Sequence, residues 1–121
     1  MKIEIDTTYH NLIKVEMANE KISANDVDYL IGQIDKVHQK YNNVNLIILF
    51  GGHTKASLKS LYESLKLVKH GKGSISKIAV IGHSNFIKMG VKLDDMFFPW
   101  QENYFDDEDL ATAWKWITEI N

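Results

Sequence analysis

Apolar and polar residues alternate over residues 2–6, with Ile3 and Ile5 on one face, and over 12–17, with Ile13, Val15 and Met17 on one face. A period of two marks half-buried strands. Thr7, Thr8, Tyr9, His10 and Asn11 join the two runs, so the chain is expected to open with an antiparallel hairpin, although no Asn-Gly turn signal is present. From Ser23 the period changes. Ser23 and Asp26 make a Ser-x-x-Asp variant of the capping box, and Val27, Leu30, Ile31, Ile34 and Val37 follow at helical spacing. This predicts a helix over 24–40, stopped by Asn42 and Asn43. The run Leu46 to Phe50 is apolar on both faces, as a central parallel strand requires, and Gly51 and Gly52 end it.

Leu58, Leu61, Tyr62, Leu65 and Val68 form the stripe of a second helix, bounded by His70-Gly71-Lys72-Gly73. Ile78 to Ile81 predict a second buried strand ended by Gly82, after which Ser84 or Asn85 is a candidate cap for a third helix near 85–92. Gly90 costs that helix roughly 1 kcal/mol against alanine, so it is expected to be short or locally distorted. Pro99 removes an amide donor and drives Phe98 toward extended geometry, which predicts a loop through Met96-Phe97-Phe98-Pro99-Trp100. Residues 102–105 suit a last short strand. The acidic run 106–109 sits where carboxylates favour a helix start, and Leu110, Ala113, Trp114 and Ile117 supply the buried face of the final helix. The order β-β-α-β-α-β-α-β-α predicts an α/β fold: a mixed, mostly parallel five-stranded sheet with an antiparallel N-terminal hairpin and four helices. Residues 1–121 read as a single domain with no repeat or linker.

Composition narrows the function. At 121 residues the chain buries about two thirds of its unfolded surface and needs no disulfide or structural metal to fold. It has no cysteine, which excludes thiol chemistry and zinc fingers. Fourteen basic residues, all lysine, stand against 16 acidic ones, so there is no broad positive field and no arginine fork for phosphate or guanine. Nucleic-acid binding is not expected. No apolar stretch approaches about 18 residues and the MKIEIDTTYH start turns polar early, so a cytoplasmic protein is expected.

Several segments carry a resemblance to a known family. These are the opening hairpin, Leu61-Tyr62-Glu63-Ser64-Leu65-Lys66 before a basic turn, Lys77-Ile78-Ala79-Val80-Ile81-Gly82 as the fourth strand, and Tyr104-Phe105 before acidic residues and Ala113-Trp114. With them the chain resembles the SpoIIAA-like family of bacterial proteins, whose fold is grouped with STAS and CRAL-TRIO domains. The resemblance spans nearly the whole chain. It implies a small non-enzymatic module: phospho-regulated protein binding as in anti-anti-sigma factors, or membrane or apolar-ligand association as suspected for SpoIIAA-like members. Anti-anti-sigma factors carry a phosphorylatable serine in an Asp-Ser-Ser-Gly type motif after the third strand. Here that place reads Gly51-Gly52-His53-Thr54-Lys55-Ala56-Ser57, with Thr54 and Ser57 the nearest hydroxyls and helix capping their simpler role.

Two candidate sites emerge. Parallel sheets place ligands beyond the carboxyl ends of their strands, where His53, Thr54 and Ser57 follow one strand and His83 and Ser84 another. They are either a polar pocket or ordinary loop residues. No carboxylate neighbours either histidine in sequence, so no metal or other cofactor is called for. The glycine-lysine fragment at 71–73 lacks the rest of a phosphate loop, and no Gly-x-Ser-x-Gly elbow exists, so an enzyme built on His53 and His83 ranks last. The second candidate is the apolar stretch of Met89, Met96, Phe97, Phe98 and Trp100, flanked by Lys88 and Lys92. It reads as ordinary core, or as a movable flap that takes a lipid, another apolar small molecule or a membrane surface, with the lysines facing anionic head groups. Trp116 lies off the apolar stripe of the last helix, either as a half-buried ring or as a homodimer contact.

Overall fold

A computed structural model of the chain describes residues 2–6, 11–17, 22–50, 55–65, 75–82 and 100–119. Among them are five strands and three helices: β1 (Lys2–Asp6), β2 (Leu12–Met17), α1 (Ala24–Tyr41), β3 (Val44–Phe50), α2 (Lys55–Leu65), β4 (Ile75–Gly82), β5 (Gln101–Asp106) and α3 (Leu110–Thr118). The expected helix near 85–92 lies outside the described residues, as does the hairpin turn at 7–10. The strands form one sheet in the order β1-β2-β3-β4-β5. β1 pairs antiparallel with β2, and every later pairing is parallel.

This order fixes where the helices go. Parallel strands laid down side by side in one direction have right-handed crossovers that all pass over the same face. Accordingly α1 and α2 share one layer, where Leu30, Ile34, Val37, Leu61 and Leu65 pack with Ile13, Val15, Leu46, Ile48, Ile78 and Val80. α3 follows the last strand and makes no crossover, so it is free to cover the other face. Its Ala113 and Ile117 pack there with Leu12, Ile47, Ala79, Ile81 and Phe105.

The ends of α1 form as the sequence implies. Ser23 Oγ accepts from the Asp26 amide at 3.1 Å, and the Ser23 amide donates to Asp26 Oδ2 at 3.2 Å. Those bonds, chiefly the one from the Ser23 amide, hold the pKa of the Asp26 carboxyl below its ordinary value. At the other end Asn42 takes the left-handed conformation, φ 67°, and its amide returns to the His38 carbonyl.

Two strands begin earlier than their apolar runs suggest. β3 includes Asn45, whose amide donates to the Asn11 carbonyl at 2.8 Å and whose side chain donates to the Ile117 carbonyl at 3.4 Å. β4 includes Lys77, only 5% exposed. Val44 lies opposite Ile75 but Asn45 opposite Lys77, so Ser76 is the extra residue of a bulge. The bulge turns Lys77 toward α3. Its ammonium donates to the carbonyls of Trp116 at 3.0 Å and Glu119 at 3.1 Å and lies 5.2 Å from the centre of the Trp116 ring.

Other bonds complete the end of α3. The Thr118 hydroxyl donates to the Trp114 carbonyl at 2.6 Å, and the Glu119 amide donates to the Lys115 carbonyl at 3.1 Å. With Asn45 on Ile117, the carbonyls from Trp114 to Ile117 and that of Glu119 all have donors, which a helix end in a packed layer needs.

Three expectations change. Leu110 is exposed rather than part of the buried face, because it opens α3 beyond the sheet's cover. Ile5 is exposed as well, while Ile3 on the same strand face packs against the core. The acidic run supplies no carboxylate to the first turn of α3 and Asp109 makes no side-chain cap bond. Instead Asp106 Oδ1 accepts from the Glu108 amide at 3.0 Å and shapes the turn between β5 and α3. Trp116 is half-buried, its ring 5.9 Å from that of Phe105.

Lys77 is the one charged side chain among the buried described residues, and its loss tests how α3 is held. Lys77→Met keeps the alkyl stem but strips two carbonyls of their donor, and is expected to cost about 1–3 kcal/mol in urea unfolding. Amide exchange should rise first in α3; an unchanged unfolding midpoint would show that the ammonium contributes nothing there.

Candidate functional site

The parallel strands end on one edge, with Phe50 opposite Gly82 and Gly82 opposite Asp106. There the Asp107 amide donates to the Gly82 carbonyl at 2.9 Å. His53 and Thr54 follow β3 and His83 and Ser84 follow β4; all four lie outside the described residues. Ser57 is in the first turns of α2, with only its backbone described. Of the apolar stretch, Lys88, Met89, Lys92, Met96, Phe97 and Phe98 also lie outside the described residues. Trp100 is the member that the structure places.

Trp100 enters the core one residue before β5 and is buried. Its ring stands edge-on to that of Tyr62, with centroids 5.3 Å apart and planes at 83°, a favourable aromatic pairing. Tyr62 comes from α2 and is fully buried between Leu61 and Leu65 of the same helix stripe. Across from it, Glu102 and Tyr104 stand two residues apart on β5 and so share one face of the sheet. The Tyr104 hydroxyl donates to Glu102 Oε2 at 3.4 Å.

Burial pushes the pKa of the Tyr62 phenol far above its ordinary value, and the nearby Tyr104 and Glu102 push the same way. Tyr62 therefore stays protonated across the physiological range and serves as a donor rather than as a base or nucleophile. The arrangement is a small polar cluster set in an apolar layer: two phenols, a carboxylate and an indole. It lies inside the layer where the Tyr62 ring of α2 meets Trp100 at the start of β5.

Sequence reasoning reached Trp100 but treated Tyr62 as one more apolar stripe residue and left out Glu102 and Tyr104. One signal was available. A tyrosine on a buried helix face needs a hydroxyl partner, and a strand that carries Glu and Tyr at alternate positions offers one.

Tyr62→Phe preserves the ring contact with Trp100 and removes the phenol from Glu102 and Tyr104. It is expected to lower stability by about 1–3 kcal/mol and to alter the tryptophan emission. Thermal unfolding at neutral pH checks this, and a variant as stable as the parent would show that the cluster does not depend on this hydroxyl.

Comparison with known proteins places the chain. No curated protein and no solved structure matches it. The family model described as SpoIIAA-like matches residues 12–118, from the first residue of β2 to the last of α3, and the chain belongs to the SpoIIAA-like family.

Proposed function

We propose that this SpoIIAA-like chain is a non-enzymatic binding module, cytoplasmic or peripheral to a membrane. On this reading it takes an apolar or amphipathic small ligand, or a membrane surface, through Lys88, Met89, Lys92, Met96, Phe97 and Phe98. The supporting observation is the setting of Trp100. The last aromatic of that segment is held in the core against Tyr62, beside Glu102 and Tyr104, so apolar and hydrogen-bonding groups adjoin where the segment meets β5. Lys88 and Lys92 each add about 1 kcal/mol toward anionic head groups near a bilayer. No helix among the described residues is long and apolar enough to cross a membrane, so contact on this reading is made from one side.

Native mass spectrometry after incubation with a lipid extract, and co-sedimentation with anionic and neutral vesicles, test the proposal. The expected result is a bound apolar species or pelleting with vesicles, either of them lost in Phe97→Asp/Phe98→Asp. Absence of both in the parent protein removes the reading.

Family membership also favours a second reading, a STAS-type protein-interaction regulator resembling the anti-anti-sigma factors, which uses residues 51–57 and α2. Lys59, Ser60 and Glu63 give that helix an exposed polar face. A partner captured by the parent protein should then be released by Thr54→Glu or Ser57→Glu, and capture that ignores both substitutions would count against it. His53, Thr54, Ser57, His83 and Ser84 are proposed separately as a polar pocket, and an unknown enzyme using His53 and His83 is the third choice.

A further inference from the structure

The outward face of α1 has a composition that the fold of one chain does not explain. Gly32 stands in the middle of this 18-residue helix, exposed, and a Cβ added there meets nothing within 4 Å. No close approach inside the chain calls for a glycine, and glycine weakens a helix interior relative to alanine. Around it Asn25, Asp28, Tyr29, Lys36 and Gln39 are all exposed, and Tyr29, at 57%, is the most exposed large hydrophobic side chain among the described residues. Neither Asp28 nor Lys36 takes part in an ion pair among the described residues.

The order of these residues is the telling feature. Asp28 lies four residues before Gly32 and Lys36 four after; Asn25 lies seven before and Gln39 seven after. At about 100° per residue all five fall within roughly 40° of one line along the helix. Reversed end for end, the line reads as its own complement: acid against base, amide against amide, glycine against glycine.

We propose that α1 is a homodimer interface, in which two copies pack α1 antiparallel about a two-fold axis at Gly32. Asp28 of each protomer pairs with the partner's Lys36, and Asn25 lies level with the partner's Gln39. A two-fold contact must be self-complementary, which this line is. Parallel packing would instead set like charge against like charge. The missing side chain at residue 32 lets the two backbones approach, and each Tyr29 ring is covered beside the seam. One helix pair is a small interface, so the dimer is reversible and depends on concentration. This inference is independent of the ligand or partner proposed above.

Sedimentation equilibrium of the full chain across a range of concentrations tests it. The expected result is a monomer–dimer equilibrium that Asp28→Lys or Lys36→Asp alone weakens by about tenfold or more, and that the double exchange Asp28→Lys/Lys36→Asp largely restores. Gly32→Gln should abolish the dimer while the thermal midpoint of the dilute monomer holds or rises, because its Cβ enters open space. A chain that stays monomeric at every concentration overturns the proposal. So does a dimer indifferent to Gly32→Gln, or a double exchange no tighter than the single variants.

Discussion

The middle of the sheet leaves no face for water. Leu46, Ile48, Ile78 and Val80 are buried on one side of β3 and β4, and Ile47, Ala79 and Ile81 on the other. Each of these leucine, isoleucine and valine side chains contributes about 1.5–3 kcal/mol when fully buried, so neither face can stay open. Two helical layers are required: crossover handedness puts α1 and α2 on one side, and α3, which makes no crossover, covers the other. With the inner helix faces committed to this cover, surfaces for recognition are left to the loops, the sheet edges and the outward faces of the helices. Function in such a module is a matter of what those remaining surfaces carry.

The polar groups admitted to the two layers are few, and each has a positional role. Lys77 reaches the last turn of α3, and Asn45 reaches the neighbouring carbonyl of Ile117. On the opposite face the edge-on contact of the Tyr62 ring with Trp100 sets α2 against the start of β5, beside the Tyr104–Glu102 hydrogen bond. Apolar contact is tolerant of sliding and rotation, whereas a hydrogen bond between buried partners is satisfied at one relative placement. These groups therefore fix how each helix sits on a sheet that would otherwise accept several positions.

The order of elements was legible because the two periods differ and because β3 and β4 are apolar on both faces. The Ser23–Asp26 cap and the Asn42 stop were legible as well, since both are local devices. What local pattern could not reach was pairing over distance. Asn45 and Lys77 fall outside the apolar runs of their strands because their partners are carbonyls on a helix far along the chain. Leu110 fits the helical stripe but lies beyond the sheet's cover, which periodicity does not measure. Of the candidate site, Trp100 was found by its apolar neighbourhood. Tyr62, Glu102 and Tyr104 become a cluster only once α2 is laid over β5, and no spacing in the sequence records that crossing.

The place of α3 in the chain has a consequence for biogenesis. Its binding face is built by residues from Leu12 to Phe105, all of which leave the ribosome before it does. Until α3 arrives, the nascent sheet shows a broad oily surface to the cell, while the opposite side already has α1 and α2 at hand. Aggregation and chaperone capture therefore have their widest opening just ahead of the last helix, in an interval that translation speed through that region sets.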